Sequence, residues 1–354
     1  NLDGFLVPLA DEHQSEFPPR RTCRLEWLTD FSGSAGIAVI LADRAALFVD
    51  GRYTLQARNQ VDAELFELNN ITMRPPHQWI AENAGEGARI AYDPWLHTPD
   101  RLVVLRESAA RAGAILVPTE PNPLDAVWTD QPAAPIAPVE IHPVLYAGRE
   151  NREKRDEAVA SLVRKGASCL ILSAPDSINW LLNIRGGETP NTPVALGFAA
   201  LGVDGSVDLF MDYRKFTAST QAHLGDSVTI HPPDELSKYL DALGDSGEAV
   251  LAPSGTTPAW IVERLSEAGA ELMSDEDPCI LPKACKNSVE VQGTRNAHIR
   301  DGAALCRFLA WLAAEAPKGT VDELGAVDAL YNFRAVGDLF RGLSFETISG
   351  AGAN

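Results

Sequence analysis

Leu47-Phe48-Val49-Asp50-Gly51-Arg52 and Leu209-Phe210-Met211-Asp212-Tyr213-Arg214 are one pattern met twice, an apolar strand that ends in Asp-x-Arg. Upstream of each lies a second matching string, Leu25-Glu26-Trp27-Leu28 before the first and Ile178-Asn179-Trp180-Leu181 before the second. Both matches fall in the same order on equivalent elements, so the chain is expected to hold two copies of one α/β fold. The offset between copies grows from 153 to 162 residues through the longer loop Gly186 to Thr192. The copies have therefore diverged, and their tasks with them.

Working outward from the first string, Ile37 to Leu41 and Ala46 to Val49 are apolar runs parted by Asp43-Arg44, the pattern of a hairpin. Phe5 to Val7 reads as a buried strand, followed by a polar loop from Ala10 to Pro19. Beyond the hairpin, Ile90 to Asp93 reads as a strand, Pro99 to Arg111 as a helix and Ala114 to Val117 as the next strand. Such alternation builds an α/β layer structure.

Between Pro118 and Pro143 proline recurs, as in Gln131-Pro132-Ala133-Ala134-Pro135-Ile136-Ala137-Pro138, and neither a helix nor a central strand can continue there. A stiff domain connector, rather than an SH3-type ligand, is the use expected of it. The second copy opens with a charged helix, Arg149 to Lys165, and the strand Cys169 to Leu172. After a turn at Pro278 to Lys286, Asn287 to Ala316 reads as one long helix capped by Asn287 with Glu290. Its apolar residues Ala297, Ala304, Leu305, Phe308, Leu309 and Leu312 form a core-facing stripe. Thr320 to Glu323 has the capping-box spacing of another helix, and Ser344 to Ile348 is strand-like. The expected domains are residues 1–136, 137–284 and an incomplete third from 285–354.

A chain of 354 residues exceeds one ordinary core, and 45% apolar with 22% charged residues is the composition of a folded chain. A formal charge of −19 argues against tracking nucleic-acid phosphates. The basic spots Arg20-Arg21 and Arg149 to Arg155 are short and mixed with acids, as on a solvated face. Five scattered cysteines without C-x-x-C spacing suit a reduced, cytoplasmic setting. The opening Asn1-Leu2-Asp3-Gly4 lacks signal-peptide halves, and no apolar run reaches membrane-spanning length, so neither export nor a membrane partner is expected.

Several strings carry a resemblance: His13-Gln14-Ser15-Glu16, Gly33-Ser34-Ala35-Gly36, Asp50-Gly51-Arg52-Tyr53 with Leu55-Gln56-Ala57, Trp128-Thr129-Asp130 and Asn183-Ile184-Arg185-Gly186. Lys286-Asn287-Ser288, Ala297 to Asp301 and Ser344 to Ser349 extend it along essentially the whole chain. Together they resemble the three-domain Xaa-Pro aminopeptidases of the creatinase, or pita-bread, class. The resemblance implies two similar creatinase-type N-terminal domains, each a mixed sheet flanked by helices, followed by the start of a pita-bread α+β catalytic domain. It implies a homodimer that removes the first residue of peptides with proline second. It also implies two Mn2+ ions per active site, held by two Asp, one His and two Glu. In the family those ligands follow the Ser-Gly-x-Gly-x-Asn segment that here spans Ser349 to Asn354, so no catalytic or metal residue is expected within this chain.

One substrate-binding residue is carried over, Arg52, whose family counterpart reaches the peptide. A guanidinium fork can hold a peptide carbonyl or carboxylate without changing protonation. The bland alternative is an ion pair with Asp50, and Arg214 is expected to be structural. His13, with Asp11, Glu12 and Glu16 around it, is expected to satisfy a local hydrogen bond, and His298, on the long helix next to Arg295 and Asp301, to be solvated or to serve helix packing. The rival function is a pita-bread homologue that binds peptide or protein without metal chemistry, like the large subunit of the FACT histone chaperone. A creatine-type amidinohydrolase fits less well, because those relatives carry one N-terminal domain.

Overall fold

The computed structural model describes residues 2–352. The first domain runs β1 (Gly4–Pro8), α1 (Arg24–Thr29), β2 (Gly36–Leu41), β3 (Ala45–Val49), α2 (Thr54–Gln60), β4 (Phe66–Asn70), α3 (Pro76–Asn83), β5 (Arg89–Tyr92), α4 (Pro99–Arg111), β6 (Ile115–Pro118) and α5 (Pro123–Val127). Its strands form one sheet in the order β4-β3-β2-β1-β5-β6. The β1–β2 and β2–β3 pairs are antiparallel and the others parallel. Successive strand residues face opposite layers. Leu6, Val39, Phe48 and Ile90 pack against Trp79 and Ile80 of α3 and Leu102 of α4. Val7, Ala38, Leu47 and Val49 pack against Leu25 of α1, Phe31 and Ala57 of α2. Each Val, Leu, Ile or Phe among them contributes roughly 1.5–3 kcal/mol on burial.

The second domain repeats this plan: β7 (Glu140–Ile141), α6 (Val144–Ala147), α7 (Asn151–Lys165), β8 (Cys169–Leu172), α8 (Pro175–Leu182), β9 (Ile184–Arg185), β10 (Phe198–Gly202), β11 (Val207–Phe210), α9 (Ala218–Leu224), β12 (Val228–His231), α10 (Leu236–Asp245), β13 (Ala249–Leu251), α11 (Ala259–Glu267) and β14 (Glu271–Met273). The sheet order β12-β11-β10-β8-β13-β14 matches the first strand for strand, with the same antiparallel and parallel pairs. Asp50 and Asp212 follow the equivalent strands β3 and β11. The α1 and α8 helices end on Asp30 and Asn183 with φ of 59° and 51°. Both residue types tolerate this left-handed stop better than other side chains do.

The proline-rich connector is fastened at both ends. Arg21 donates to the Pro132 carbonyl (2.9 Å) and Gln131 to the Arg21 carbonyl (3.1 Å). At the far end the Ala137 amide reaches Glu188 (3.2 Å) and the Val139 amide the Lys215 carbonyl (2.8 Å). One helix, α5, interrupts the segment first read as all connector. Pro123 sits in its first turn, where a missing N–H costs nothing, and Asn122 caps it.

The two domains are joined through α11. Its Ala259 lies inside the core of the first domain, and its amide donates to the His97 carbonyl (2.8 Å). Trp260 stacks on Trp95 with ring centroids 4.1 Å apart, and Arg106 pairs with Glu263 at 2.9 Å.

Beyond α12 (Ile280–Ala284), α13 (Ser288–Glu315) starts on a complete capping box. Asn287 accepts from the Val289 and Glu290 amides while Glu290 accepts from the Asn287 amide. The expected core-facing stripe is corrected. Only Ala304 and Phe308 of it are buried, and Leu305, Leu309 and Ala297 are exposed, because α14 (Glu323–Ala335) is the principal element packed along this helix. The cap of α14 is Asp322, which accepts from the Gly325 amide, rather than Thr320. Ser344 to Ile348 forms no strand. A strand needs a partner to pair its backbone groups, and here Phe345 and Ile348 are exposed. Of the string Ser349 to Asn354, Ala353 and Asn354 lie outside the described residues.

Candidate functional site

At the end of β3 the chain makes a 3-10 turn over Gly51–Tyr53, capped by Asp50, whose Oδ1 accepts from the Arg52 amide at 2.9 Å. The same carboxylate takes the Nε and Nη2 edge of the guanidinium, with Nη2–Oδ2 at 2.6 Å. The hydrogen bonds from Arg52 hold the Asp50 carboxyl below the usual carboxylate range. The bland expectation for Arg52 is therefore present, yet 64% of its side chain remains exposed.

The guanidinium also lies over the Tyr53 ring, 5.1 Å from its centroid. Tyr53 is fixed by a 2.7 Å hydroxyl bond to Ser34 and by an edge contact to Phe31 (5.6 Å). Gly33 makes this possible: a Cβ there would stand 2.3 Å from the Phe31 ring and 2.9 Å from Tyr53. Beside it, Gln56 and Gln60 both donate to the Ser32 hydroxyl at 3.1 and 2.9 Å. The strings Gly33 to Gly36, Asp50 to Tyr53 and Leu55 to Ala57 thus converge on one polar surface with Arg52 at its edge.

The second copy reproduces the ion pair and not the platform. Arg214 pairs with Asp212 through the same atoms, with Nη2–Oδ2 at 2.5 Å, and the hydrogen bonds from Arg214 lower Asp212 to about 2. Tyr213 is 57% exposed. Lys215 stands where the first copy has Tyr53. Its ammonium reaches Glu188 in the long loop (2.7 Å) and the Leu196 carbonyl (3.0 Å). Glu188 also accepts from the Ala137 and Leu196 amides.

The remaining candidates fall elsewhere. His13 is buried at the domain junction, with Nδ1 3.1 Å from the Ser173 carbonyl and its ring 4.6 Å from Phe198. Asp11 accepts from the His13 and Ser15 amides. His298 is exposed on α13, bonded to the Thr294 carbonyl at 2.9 Å. Among the described residues, no group of three or more His, Cys, Asp or Glu side chains could hold a metal ion. These residues do not fit the metal pair that the resemblance implies. All five cysteines are free, and no helix of the described residues is long and apolar enough to cross a membrane.

Sequence reasoning missed the Tyr53 platform and the Glu188–Lys215 pair. The available signal was the Tyr-to-Lys exchange at the residue after each Asp-x-Arg, opposite a loop carrying Ser34 in one copy and Glu188 in the other.

Two family models match, both described as the Creatinase/Prolidase N-terminal domain, over residues 2–127 and 130–290. Along its full length the chain is 38% identical to a protein of Aspergillus niger named "Probable Xaa-Pro aminopeptidase P", covering 59% of that relative. A protein of the same name from Talaromyces stipitatus is also 38% identical, with 55% of it covered. The chain thus spans between half and three-fifths of these curated relatives. Among solved structures, the X-prolyl aminopeptidase of Caenorhabditis elegans superposes with a TM-score of 0.91 at 30% identity, over 99% of this chain and 58% of that one. It is described as a cytosolic enzyme with a di-nuclear active site.

Proposed function

The chain belongs, through both of its α/β domains, to the creatinase/prolidase N-terminal domain family, and from that premise we propose that it is the front part of a metal-dependent Xaa-Pro aminopeptidase. The observation that carries the reading is the superposition of residues across both domains and the α13–α14 pair on the nematode X-prolyl aminopeptidase. On this reading residues 1–136 and 137–284 are substrate-side domains, and 285–354 open the catalytic domain. The metal ligands, for two Mn2+ ions, lie outside these residues. The chemistry of the metal pair would belong to that other region.

The residues present would position the peptide. Arg52 donates a hydrogen bond to it from the platform of the first domain, and the joint at α11 holds that domain against the second. The exposed apolar side of α13, with Leu305 and Leu309, is the surface on which the rest of the catalytic domain would fold. A cytoplasmic setting is supported by the free cysteines and by the cytosolic relative. A homodimer completes the proposal.

The test is hydrolysis of an Ala-Pro or Arg-Pro peptide by the full-length protein, with and without a chelator. Chelator-sensitive cleavage before proline is expected. The 354-residue chain alone is expected to turn over nothing and to give no manganese heat in calorimetry. Chelator-sensitive turnover by the short chain would show that the catalytic residues have been misplaced, and no turnover by the full-length protein would sink the enzyme reading.

A further inference from the structure

Two strings of the sequence still lack a task, Lys286-Asn287-Ser288 and Asn183-Ile184-Arg185-Gly186. Their asparagines hold opposite sides of one turn, residues 147–149, where α6 ends and Gly148 takes a φ of 70°. From within the second domain, Asn183 donates through Nδ2 to the Arg149 carbonyl at 2.7 Å. Its Oδ1 accepts from the Lys154 ammonium at 2.6 Å. That ammonium also donates to the Trp180 carbonyl at 3.0 Å and lies 4.5 Å from the centroid of the Trp180 ring. Asn183 and Lys154 are both buried, so α7 and α8 brace the turn from inside.

From the other side, Asn287 has two roles. Its Oδ1 accepts from the Val289 and Glu290 amides and so caps α13, while its Nδ2 donates to the Ala147 carbonyl at 2.8 Å. A Cβ on residue 148 would stand 2.4 Å from that Oδ1, so the seat requires a residue without a side chain. A cap needs only an acceptor, whereas the seat needs the N–H donor of the amide. Among the described residues of the second domain, α6 is the principal element packed on α13. Of the 28 residues of α13, Ala304 and Phe308 alone are buried. A helix so little supported along its side takes its direction from its first turn.

We infer that Asn287, seated on the turn that Asn183 and Lys154 brace, sets the direction in which α13 leaves the second domain and so positions what α13 carries. That the cargo is a catalytic half rests on the aminopeptidase reading; the direction of the helix does not.

The test uses the full-length protein with spin labels on Cys306 of α13 and on Val163→Cys of α7, both exposed, and with every other exposed cysteine changed to serine. Cys306 lies about 27 Å along the axis from Ser288 at about 1.5 Å per residue, so about 10° of tilt moves it by about 5 Å. Asn287→Asp keeps the cap acceptor and loses the donor to Ala147. The distance between labels is expected to shift or broaden by about 5 Å. Gly148→Ala disturbs the same seat from the opposite side and should give the same displacement. Glu290→Ala removes the other half of the capping box, keeps the seat and should leave the distance unchanged. A wild-type distance in Asn287→Asp or in Gly148→Ala, or an equal shift in Glu290→Ala, would overturn the inference. Cleavage of a tetrapeptide beginning Ala-Pro is measured on the same preparations. Asn287→Asp should lower kcat/KM by about tenfold or more, since a misplacement of about 1 Å can cost about 100-fold, with Glu290→Ala within about twofold of wild type. A displaced helix with unchanged kinetics would overturn the positioning role. A wild-type protein that cleaves nothing would sink the enzyme reading and leave the distances to decide the inference.

Discussion

The two copies of the fold solve one local problem in opposite ways. In each, the turn after the third strand of the repeat must be tied to the loop that leads into the second. The first copy uses a tyrosine hydroxyl on Ser34, a short loop and a glycine that lets two rings meet. The second uses a lysine on Glu188, a longer loop and four hydrogen bonds that include the connector between domains. A neutral tie leaves an aromatic ring free to support Arg52. A buried ion pair occupies the same place with charge and leaves Arg214 a surface ion pair alone. The Asp-x-Arg pair common to both is then a fastening of the turn, and the ring beneath Arg52 is what sets one copy apart.

The largest test of this contrast removes the charged tie. Glu188 has no exposed side-chain area and Lys215 only 7%. Lys215→Met would leave a buried carboxylate uncompensated and cost about 3–5 kcal/mol. Urea unfolding measures this. Lys215→Met combined with Glu188→Gln should recover part of the loss, and a single-variant loss below about 1 kcal/mol would show that the pair is not the brace of the loop.

Next comes the functional half. In the full-length protein Arg52→Ala should lower kcat/KM by about 10- to 150-fold, while Arg214→Ala leaves kcat/KM unchanged, and each should cost little stability, as the loss of an exposed ion pair does. Equal kinetic losses from the two variants would erase the distinction drawn here.

A third difference lies before α4 and α11, where His97 and Thr257 occupy equivalent positions and each buries a polar atom without a partner. Only the first can titrate. Burial, with a smaller contribution from Arg101, lowers His97 from 6.5 to about 3. Between those values the unfolded chain binds a proton that the native state refuses, so stability is full above pH 6.5 and is lost as pH falls. From pH 7 to pH 5 the loss is about 2 kcal/mol. His97→Phe keeps a ring against Tyr92 and should flatten that part of the stability profile. An unaltered slope would assign it to other groups.

The smallest effect is Tyr53→Phe, which keeps the ring under Arg52 and removes the bond to Ser34. A cost of about 0.5–1.5 kcal/mol is expected. Because Tyr53 has no counterpart hydroxyl in the second copy, the equivalent change at Tyr213, which is exposed, should cost nearly nothing in the same melting experiment.

Much of the fold could be read from the residues, because apolar period and caps are local signals. Pro99 to Arg111 and Cys169 to Leu172 were bounded as observed, and Asn287 with Glu290 announced α13 correctly. The repeat was visible through Trp27 and Trp180. What failed was non-local. Among the described residues, Ser344 to Ile348 has strand composition without a partner strand, and Leu305 and Leu309 have helical spacing without a core to face. At the site, the Asp50–Arg52 pair was foreseen as the bland alternative. The Tyr53 platform needs Gly33, Phe31 and Ser34 brought together by the β2–β3 hairpin, and no single string contains it.

Ala259 sits in the core of the first domain although it belongs to the second. That one alanine turns two similar folds into a single inheritable unit. A gene fragment ending at the connector would encode a first domain whose core lacks Ala259, and a fragment starting there would carry that alanine without the core it enters. Swapping one repeat for a relative's must therefore preserve the fit of that alanine in the first domain's core.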